Sequence, residues 1–279
     1  MEIHHTEGSF ETRDGVTLFE QTWRPSGEAK AAVVIVHGYA EHSGRYAHVA
    51  ERLVRSSYAV HAYDLRGHGR SDGLKGLIRS ISTLVDDTDE FIKRAGEQEP
   101  GIPLFLLGHS TGGGIAALLA IDGRLAVRGM VLTGALIRLA DDVPAPLQWV
   151  AAILGALVPR LPVKGLDSGV ISRDPEVVAA YDNDPLVYRG RTMARTAAEL
   201  MGACKRIQAR MEAVTLPILV MHGAADALID PEGSVELHAR AASDDKMLKL
   251  YDGAYHEIMN EPKKAQVLTD VVQWMDARI

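Results

Sequence analysis

The sequence predicts an α/β fold, a mostly parallel sheet with helices on both faces, and two observations carry that prediction. First, short apolar runs rich in β-branched residues alternate with helical stretches on both sides of a middle section that offers no convincing strand. Second, one such run, Leu104-Phe105-Leu106-Leu107, passes abruptly through Gly108-His109-Ser110-Thr111-Gly112 into the small-residue stretch Gly113-Gly114-Ile115-Ala116-Ala117-Leu118-Leu119. A continuous apolar run suits a strand covered on both faces. Glycines two residues either side of Ser110 remove Cβ atoms where strand and helix must pass closely, as a serine on a strained strand-to-helix turn requires. The helix start that follows aims unpaired N–H groups at the serine and favours negative charge there.

The other elements follow in order. Residues 9–13 and 16–24 read as two strands joined by Asp14-Gly15, a tight-turn dipeptide that favours an antiparallel hairpin. Residues 31–36 form a short apolar run fit for a central strand, ending in His37-Gly38-Tyr39-Ala40-Glu41-His42. Residues 46–56 carry Val49, Leu53 and Val54 at helical spacing. A strand over 58–63 closes with Asp64-Leu65-Arg66-Gly67-His68-Gly69-Arg70-Ser71. Residues 81–95 read as an amphipathic helix whose Asp86, Asp87 and Asp89 mark a solvated face. Residues 129–133 form the next strand, and strands return at 218–222 and 247–251, each followed by a loop and a helix. The section 136–210 between them, with recurrent prolines, reads as a helical insertion separating core segments 1–135 and 211–279. Within it residues 147–158 are apolar almost all round, which suits burial or contact with an apolar surface.

Composition narrows the class. The 279 residues are 47% hydrophobic and 24% charged, ordinary for a soluble globular protein with a sizeable core. A net charge of −7 argues against nucleic acid as a partner. One cysteine, Cys204, excludes an internal disulfide framework and sits in a helical stretch, where a buried apolar role is expected. No basic segment followed by an apolar run opens the chain, and no apolar window reaches the length of a spanning helix, so a cytoplasmic location is expected.

The chemistry centres on Ser110. A serine hydroxyl is a weak nucleophile at neutral pH and needs a base in reach, with a third group to orient that base. On a sheet of this kind, acid and histidine should follow the serine, each on a loop after a strand. Ile218-Leu219-Val220-Met221-His222-Gly223-Ala224-Ala225-Asp226 and Leu248-Lys249-Leu250-Tyr251-Asp252-Gly253-Ala254-Tyr255-His256 meet that order. Asp226 would hold the His256 tautomer and His256 would accept the Ser110 proton; Asp230 and Asp252 are rivals for the acid, although Asp230 before Pro231 reads as a helix cap. His256-Glu257-Ile258-Met259-Asn260 lacks the second histidine of a zinc-protease helix, so metal catalysis is not expected. A tetrahedral oxyanion would need fixed N–H donors, and the amides of Thr111 and Tyr39 are the candidates.

Together these segments resemble the α/β-hydrolase superfamily and, more narrowly, the monoacylglycerol lipase family. Its narrower markers are His37-Gly38-Tyr39-Ala40-Glu41-His42-Ser43-Gly44-Arg45-Tyr46, the Asp64 to Ser71 loop, Gly108-His109-Ser110-Thr111-Gly112-Gly113 and His222-Gly223-Ala224-Ala225-Asp226. To these are added Tyr255-His256-Glu257 and, in the insertion, Ile171-Ser172-Arg173-Asp174-Pro175 and Tyr181-Asp182-Asn183-Asp184-Pro185-Leu186. The resemblance implies an eight-stranded sheet, an acyl-enzyme route with no cofactor, and hydrolysis of a lipid ester. It also implies that the insertion is a cap that touches membranes and lines an acyl tunnel. Glu41 and Arg45 would organise the polar end of the pocket, with His109 and Tyr181 near the glycerol hydroxyls. Thr111 stands where the family usually has methionine, and Tyr39 where a small residue is common, so acyl or leaving-group preference is expected to differ. A broader carboxylesterase or lysophospholipase, and a ligand-binding relative without turnover, are the competing functions.

Overall fold

The structure is a computed structural model that describes residues 2–140 and 153–279. Its strands are β1 (Ile3–Glu11), β2 (Thr17–Pro25), β3 (Ala31–Val36), β4 (Tyr58–Tyr63), β5 (Leu104–His109), β6 (Gly129–Thr133), β7 (Pro162–Lys164), β8 (Thr192–Met193), β9 (Ile218–Gly223) and β10 (Lys246–Tyr251). Eight of them form one sheet in the order β1-β2-β4-β3-β5-β6-β9-β10. The pairs β1–β2 and β2–β4 are antiparallel and all others in the sheet are parallel. This is the α/β-hydrolase fold.

Alternation along each central strand divides the core into two. Val34, Val36, Leu106, Leu132 and Val220 pack on one face with the helices Ile81–Gln98, Thr111–Ile121 and Pro231–Arg240. Val33, Ile35, Leu107, Val131 and Leu219 pack on the other with the helices Ala47–Val54 and Lys264–Asp276. Residues of opposite parity point to opposite faces of a strand, so a run without polar interruptions is what a doubly covered sheet demands.

Three details depart from the sequence reading. β1 starts at Ile3, well before residue 9, and pairs with β2 as far as Pro25. Its first seven residues bury little surface, so backbone pairing extends the strand where no hydrophobic alternation announces it. The acidic face of the helix Ile81–Gln98 is not uniformly solvated. Asp87 and Asp89 are buried, Asp87 accepting two hydrogen bonds from Arg66 at 2.8 and 2.9 Å and Asp89 bonding Lys93 and Arg124. Strands also exist in the insertion: β7 and β8 form a two-stranded antiparallel pair, too short for any periodic pattern to mark. Of the apolar stretch 147–158, residues 147–152 lie outside the described residues, 153–157 are helical, and Ile153, Leu157 and Val158 are exposed.

Candidate active site

Register brings the candidate residues to one edge. Val36 lies opposite Gly108, His109 opposite Thr133, Thr133 opposite Met221, and Gly223 opposite Tyr251. The loops that leave β3, β5, β6, β9 and β10 therefore emerge side by side at the carboxyl ends of the strands, where open α/β sheets carry their sites.

Ser110 follows β5 with φ 52° and ψ −117°, a left-handed conformation that a residue with a Cβ adopts at an energetic cost. The surroundings hold it there. Its N–H donates to the Thr133 carbonyl at 3.0 Å, and its own carbonyl accepts the Gly114 and Leu136 amides at 3.0 and 2.9 Å. A Cβ on Gly112 would fall well inside contact distance of the Val36 carbonyl, and one on Gly108 would lie 2.6 Å from the Gly112 oxygen. Those two glycines are the steric condition for the turn.

The loop after β3 lies directly against the serine. A Cβ on Gly38 would be 3.0 Å from the Ser110 Cβ. The Leu65 amide donates to His37 Nε2 at 2.8 Å, so Nδ1 carries the proton and donates to the Gly38 carbonyl at 2.7 Å. Burial lowers the His37 pKa and keeps the ring neutral. Buried Asp64 ties the next loop to this one by accepting the Ser43 amide and hydroxyl at 2.8 and 2.6 Å and the Arg70 amide at 2.7 Å. Among the described residues, the amides of Tyr39 and Thr111 have no acceptor within the protein.

Of the three candidate carboxylates, Asp226 is the one bonded to His256, with Oδ2 2.6 Å from Nδ1. Asp230 caps the helix Pro231–Arg240 through the Glu232 amide at 3.0 Å, and Asp252 is exposed. Asp226 Oδ1 accepts the amides of Leu228 and Ile229 at 2.8 and 3.0 Å. Burial alone would raise its pKa, but the charge of His256 and hydrogen bonds from His222 and His256 hold it well below the carboxylate range. For His256 the balance is the reverse. Burial, the largest single influence, opposes its protonation, but the charge and hydrogen bond of Asp226 together with the charges of Glu257 and Glu41 outweigh it, and the net pKa is raised.

A cavity of about 400 Å³ opens beside Ser110, Thr111, Tyr39, His109 and His256. Its polar wall is an ion network. Glu41 Oε1 accepts the Gly38 amide at 2.6 Å and the Tyr46 hydroxyl at 2.7 Å, while Oε2 accepts Arg45 Nη1 at 2.7 Å. Arg45 also forks onto both oxygens of Glu257 at 2.7 and 2.8 Å and lies 4.8 Å from the centre of the Tyr181 ring. Burial would raise the Glu41 pKa, yet the charges of Arg45 and neighbouring imidazoles and the Tyr46 hydroxyl bring it to about 2. The Tyr181 hydroxyl is buried and has no partner among the described residues. His109 Nδ1 lies 3.0 Å from the Thr133 carbonyl, and burial, reinforced by His256, pushes its pKa down to about 4. Much of the remaining lining is aliphatic, including Leu136, Val163, Leu166, Leu200 and Leu228, with Lys164, Asp167 and Thr192 among them.

A family model described as serine aminopeptidase, S33, matches residues 27–263. The monoacylglycerol lipase of Mycolicibacterium smegmatis is 43% identical over 97% of this chain and 96% of its own length. The chain belongs to the monoacylglycerol lipase family of α/β-hydrolases. The human monoglyceride lipase is 35% identical over 95% of this chain and 88% of its own. Among solved structures, a soluble variant of the Saccharomyces cerevisiae monoglyceride lipase in complex with a substrate analogue matches with a TM-score of 0.86 at 27% identity. That match covers 98% of this chain and 94% of the yeast one.

All the candidate residues converge on this region of the family member. Every one except Arg45 and Asp226 lines the cavity directly; those two act on it through Glu41, Glu257 and His256. Two participants escaped the sequence reading. Glu257, named only as a neighbour of His256, is the bidentate partner of Arg45 across 212 residues of chain. His222, named only as a strand end and as part of a family marker, shares Asp226 with His256. A histidine four residues before the candidate acid was the available signal for the second; none existed for the first.

Proposed function

We propose that this chain is a serine hydrolase that cleaves monoacylglycerols to a free fatty acid and glycerol. The observation that carries this reading is one cavity lined both by Ser110 and Asp226-bonded His256 and by a set of aliphatic side chains. His256 Nδ1 is engaged by Asp226, so Nε2 is left to take the proton as Ser110 Oγ attacks the ester carbonyl. The amides of Tyr39 and Thr111 hold the resulting oxyanion. Collapse breaks the acyl–oxygen bond, His256 returns the proton to the departing glycerol, and an acyl-Ser110 ester remains. Water, deprotonated by the same imidazole, then releases the fatty acid and restores Ser110. No step calls for a metal or cofactor.

The acyl chain takes the aliphatic side chains and the glycerol takes Tyr181 and His109, with Glu41 and Arg45 organising that polar end. Ester rather than aminopeptide hydrolysis is favoured because an aminopeptidase must hold a substrate ammonium. Glu41 and Glu257 already serve the Gly38 amide, Tyr46, Arg45 and Asn260. The section 136–210 acts as a cap over the site. Exposed Ile153, Leu157, Val158 and Leu161 give it an apolar patch with which a protein working from the cytoplasmic side touches a lipid surface. Among the described residues no helix is long and apolar enough to cross a membrane.

A panel of monoacylglycerols, di- and triacylglycerols, lysophospholipids and p-nitrophenyl esters tests the assignment. Long-chain monoacylglycerols should show the highest kcat/KM. Cleavage of short synthetic esters without cleavage of long-chain monoacylglycerols would refute it, and covalent labelling by a fluorophosphonate without turnover would mark a ligand-binding relative.

A further inference from the structure

Asp226 serves two imidazoles. Its Oδ2 lies 2.6 Å from His256 Nδ1 and 3.0 Å from His222 Nε2, while its Oδ1 is saturated by two backbone amides. His222 belongs to β9, between β6 and β10, and is completely buried. An ionised carboxylate only accepts, so His222 Nε2 carries a proton. Its Nδ1 lies 2.7 Å from the hydroxyl of Ser234, also completely buried, in the helix Pro231–Arg240. In the neutral ring that nitrogen is an acceptor, and the serine supplies the hydrogen. Asp226 thereby selects the tautomer and Ser234 supports it.

We propose that His222 is a positioning residue for the reaction, holding Asp226 against His256 and, with Ser234, moderating the carboxylate's pull on the His256 proton. Asp226 itself sits on a turn, and the link through His222 ties it to a strand and a helix at once. A donor to the charged form of an acid lowers its proton affinity. Shared between two N–H groups, Oδ2 orients the catalytic imidazole without capturing its proton. The groups that face His256 are Asp226, His109 from β5, Glu257 on its own loop and Glu41 from the loop after β3, with Arg45 between the two glutamates. A substitution at residue 222 alters only the first of these.

The proposal rests on Ser110, His256 and Asp226 acting as above. It is tested by the pH dependence of kcat/KM on one monoacylglycerol, and of Ser110 labelling by a fluorophosphonate, in the full-length enzyme. His222→Leu removes a donor from Asp226, so the protonated form of His256 is favoured and the acid midpoint rises by about half to one pH unit. The plateau kcat falls on the order of ten-fold with KM unchanged. His222→Gln, whose amide can donate to Oδ2, returns both close to wild type. Ser234→Ala shifts the midpoint in the same direction by less. A His222→Leu enzyme that loses rate at the wild-type midpoint, or a glutamine variant no better than leucine, would overturn the idea and leave the ring as packing. If the leucine variant does not fold, an unmoved midpoint in Ser234→Ala would overturn it equally. Full activity in Asp226→Asn would instead remove the acid assignment on which all of this stands.

Discussion

The two walls of the cavity are built on opposite principles. Beside Ser110, the Gly38 amide, Glu41, Arg45 and Glu257 form an unbroken chain of hydrogen bonds between 2.6 and 2.8 Å, with Tyr46 attached. Section 136–210 brings Leu136, Val163, Leu166 and Leu200 to the cavity beside Lys164, Asp167, Tyr181 and Thr192, its strands β7 and β8 have only three and two residues, and Leu157 and Val158 face solvent. A carbonyl that gains charge needs donors that do not move, because preorganised dipoles are what stabilise the oxyanion. An acyl chain needs only apolar volume, since its burial is non-directional. One wall is accordingly specified by geometry and the other by area.

Variants that break the reactive wall should have the largest effects. Ser110→Ala should lower kcat by about 10⁶, to the level left by binding and oxyanion contacts, with an unchanged circular dichroism spectrum. Asp226→Asn should lower kcat by about 10⁴, and it also tests the sign of the electrostatics. The base must be neutral, and its pKa is raised above 6.5, so wild-type kcat/KM should climb with pH through a midpoint above that value. Losing the carboxylate charge should move the midpoint down. A midpoint in Asp226→Asn equal to that of wild type would mean that another group sets the His256 pKa.

Next in size is the ion network. Arg45→Met would strand Glu41 and Glu257 as buried carboxylates and should destabilise the fold by about 3–5 kcal/mol in denaturant unfolding. Adding Glu41→Gln and Glu257→Gln should recover much of that loss. The exposed apolar side chains of section 136–210 should respond least. Leu157→Glu combined with Val158→Glu should leave hydrolysis of a short soluble ester within about two-fold of wild type. The same pair should weaken sedimentation with phospholipid vesicles by about ten-fold or more. Equal losses on both measurements would erase the contrast between the walls.

How much of this was legible follows the same division. The Ser110 turn announced itself because its cause is steric and local: two glycines two residues away, an apolar run before and small residues after. Asp226 and His256 could be placed because each ends a strand-then-loop segment, and parallel register brings such loops to one edge. Asp87 misled for the opposite reason. It sits on a charged helix face, and only the approach of Arg66 from the loop after β4 makes it a buried acceptor. β7 and β8 left no pattern, because three residues and two are too few to alternate.

By itself the sequence determined the alternation of strands and helices, the strained serine and the chain order of the proposed nucleophile, acid and base. Each of these is set by periodicity or by the bulk of adjacent residues, interactions that act over a few positions. Tertiary structure alone decided that His222 shares Asp226 with His256 and that Arg45 lies buried between two glutamates. Those outcomes depend on the removal of water around charges contributed by distant segments. Desolvation exists only once the chain has closed over them.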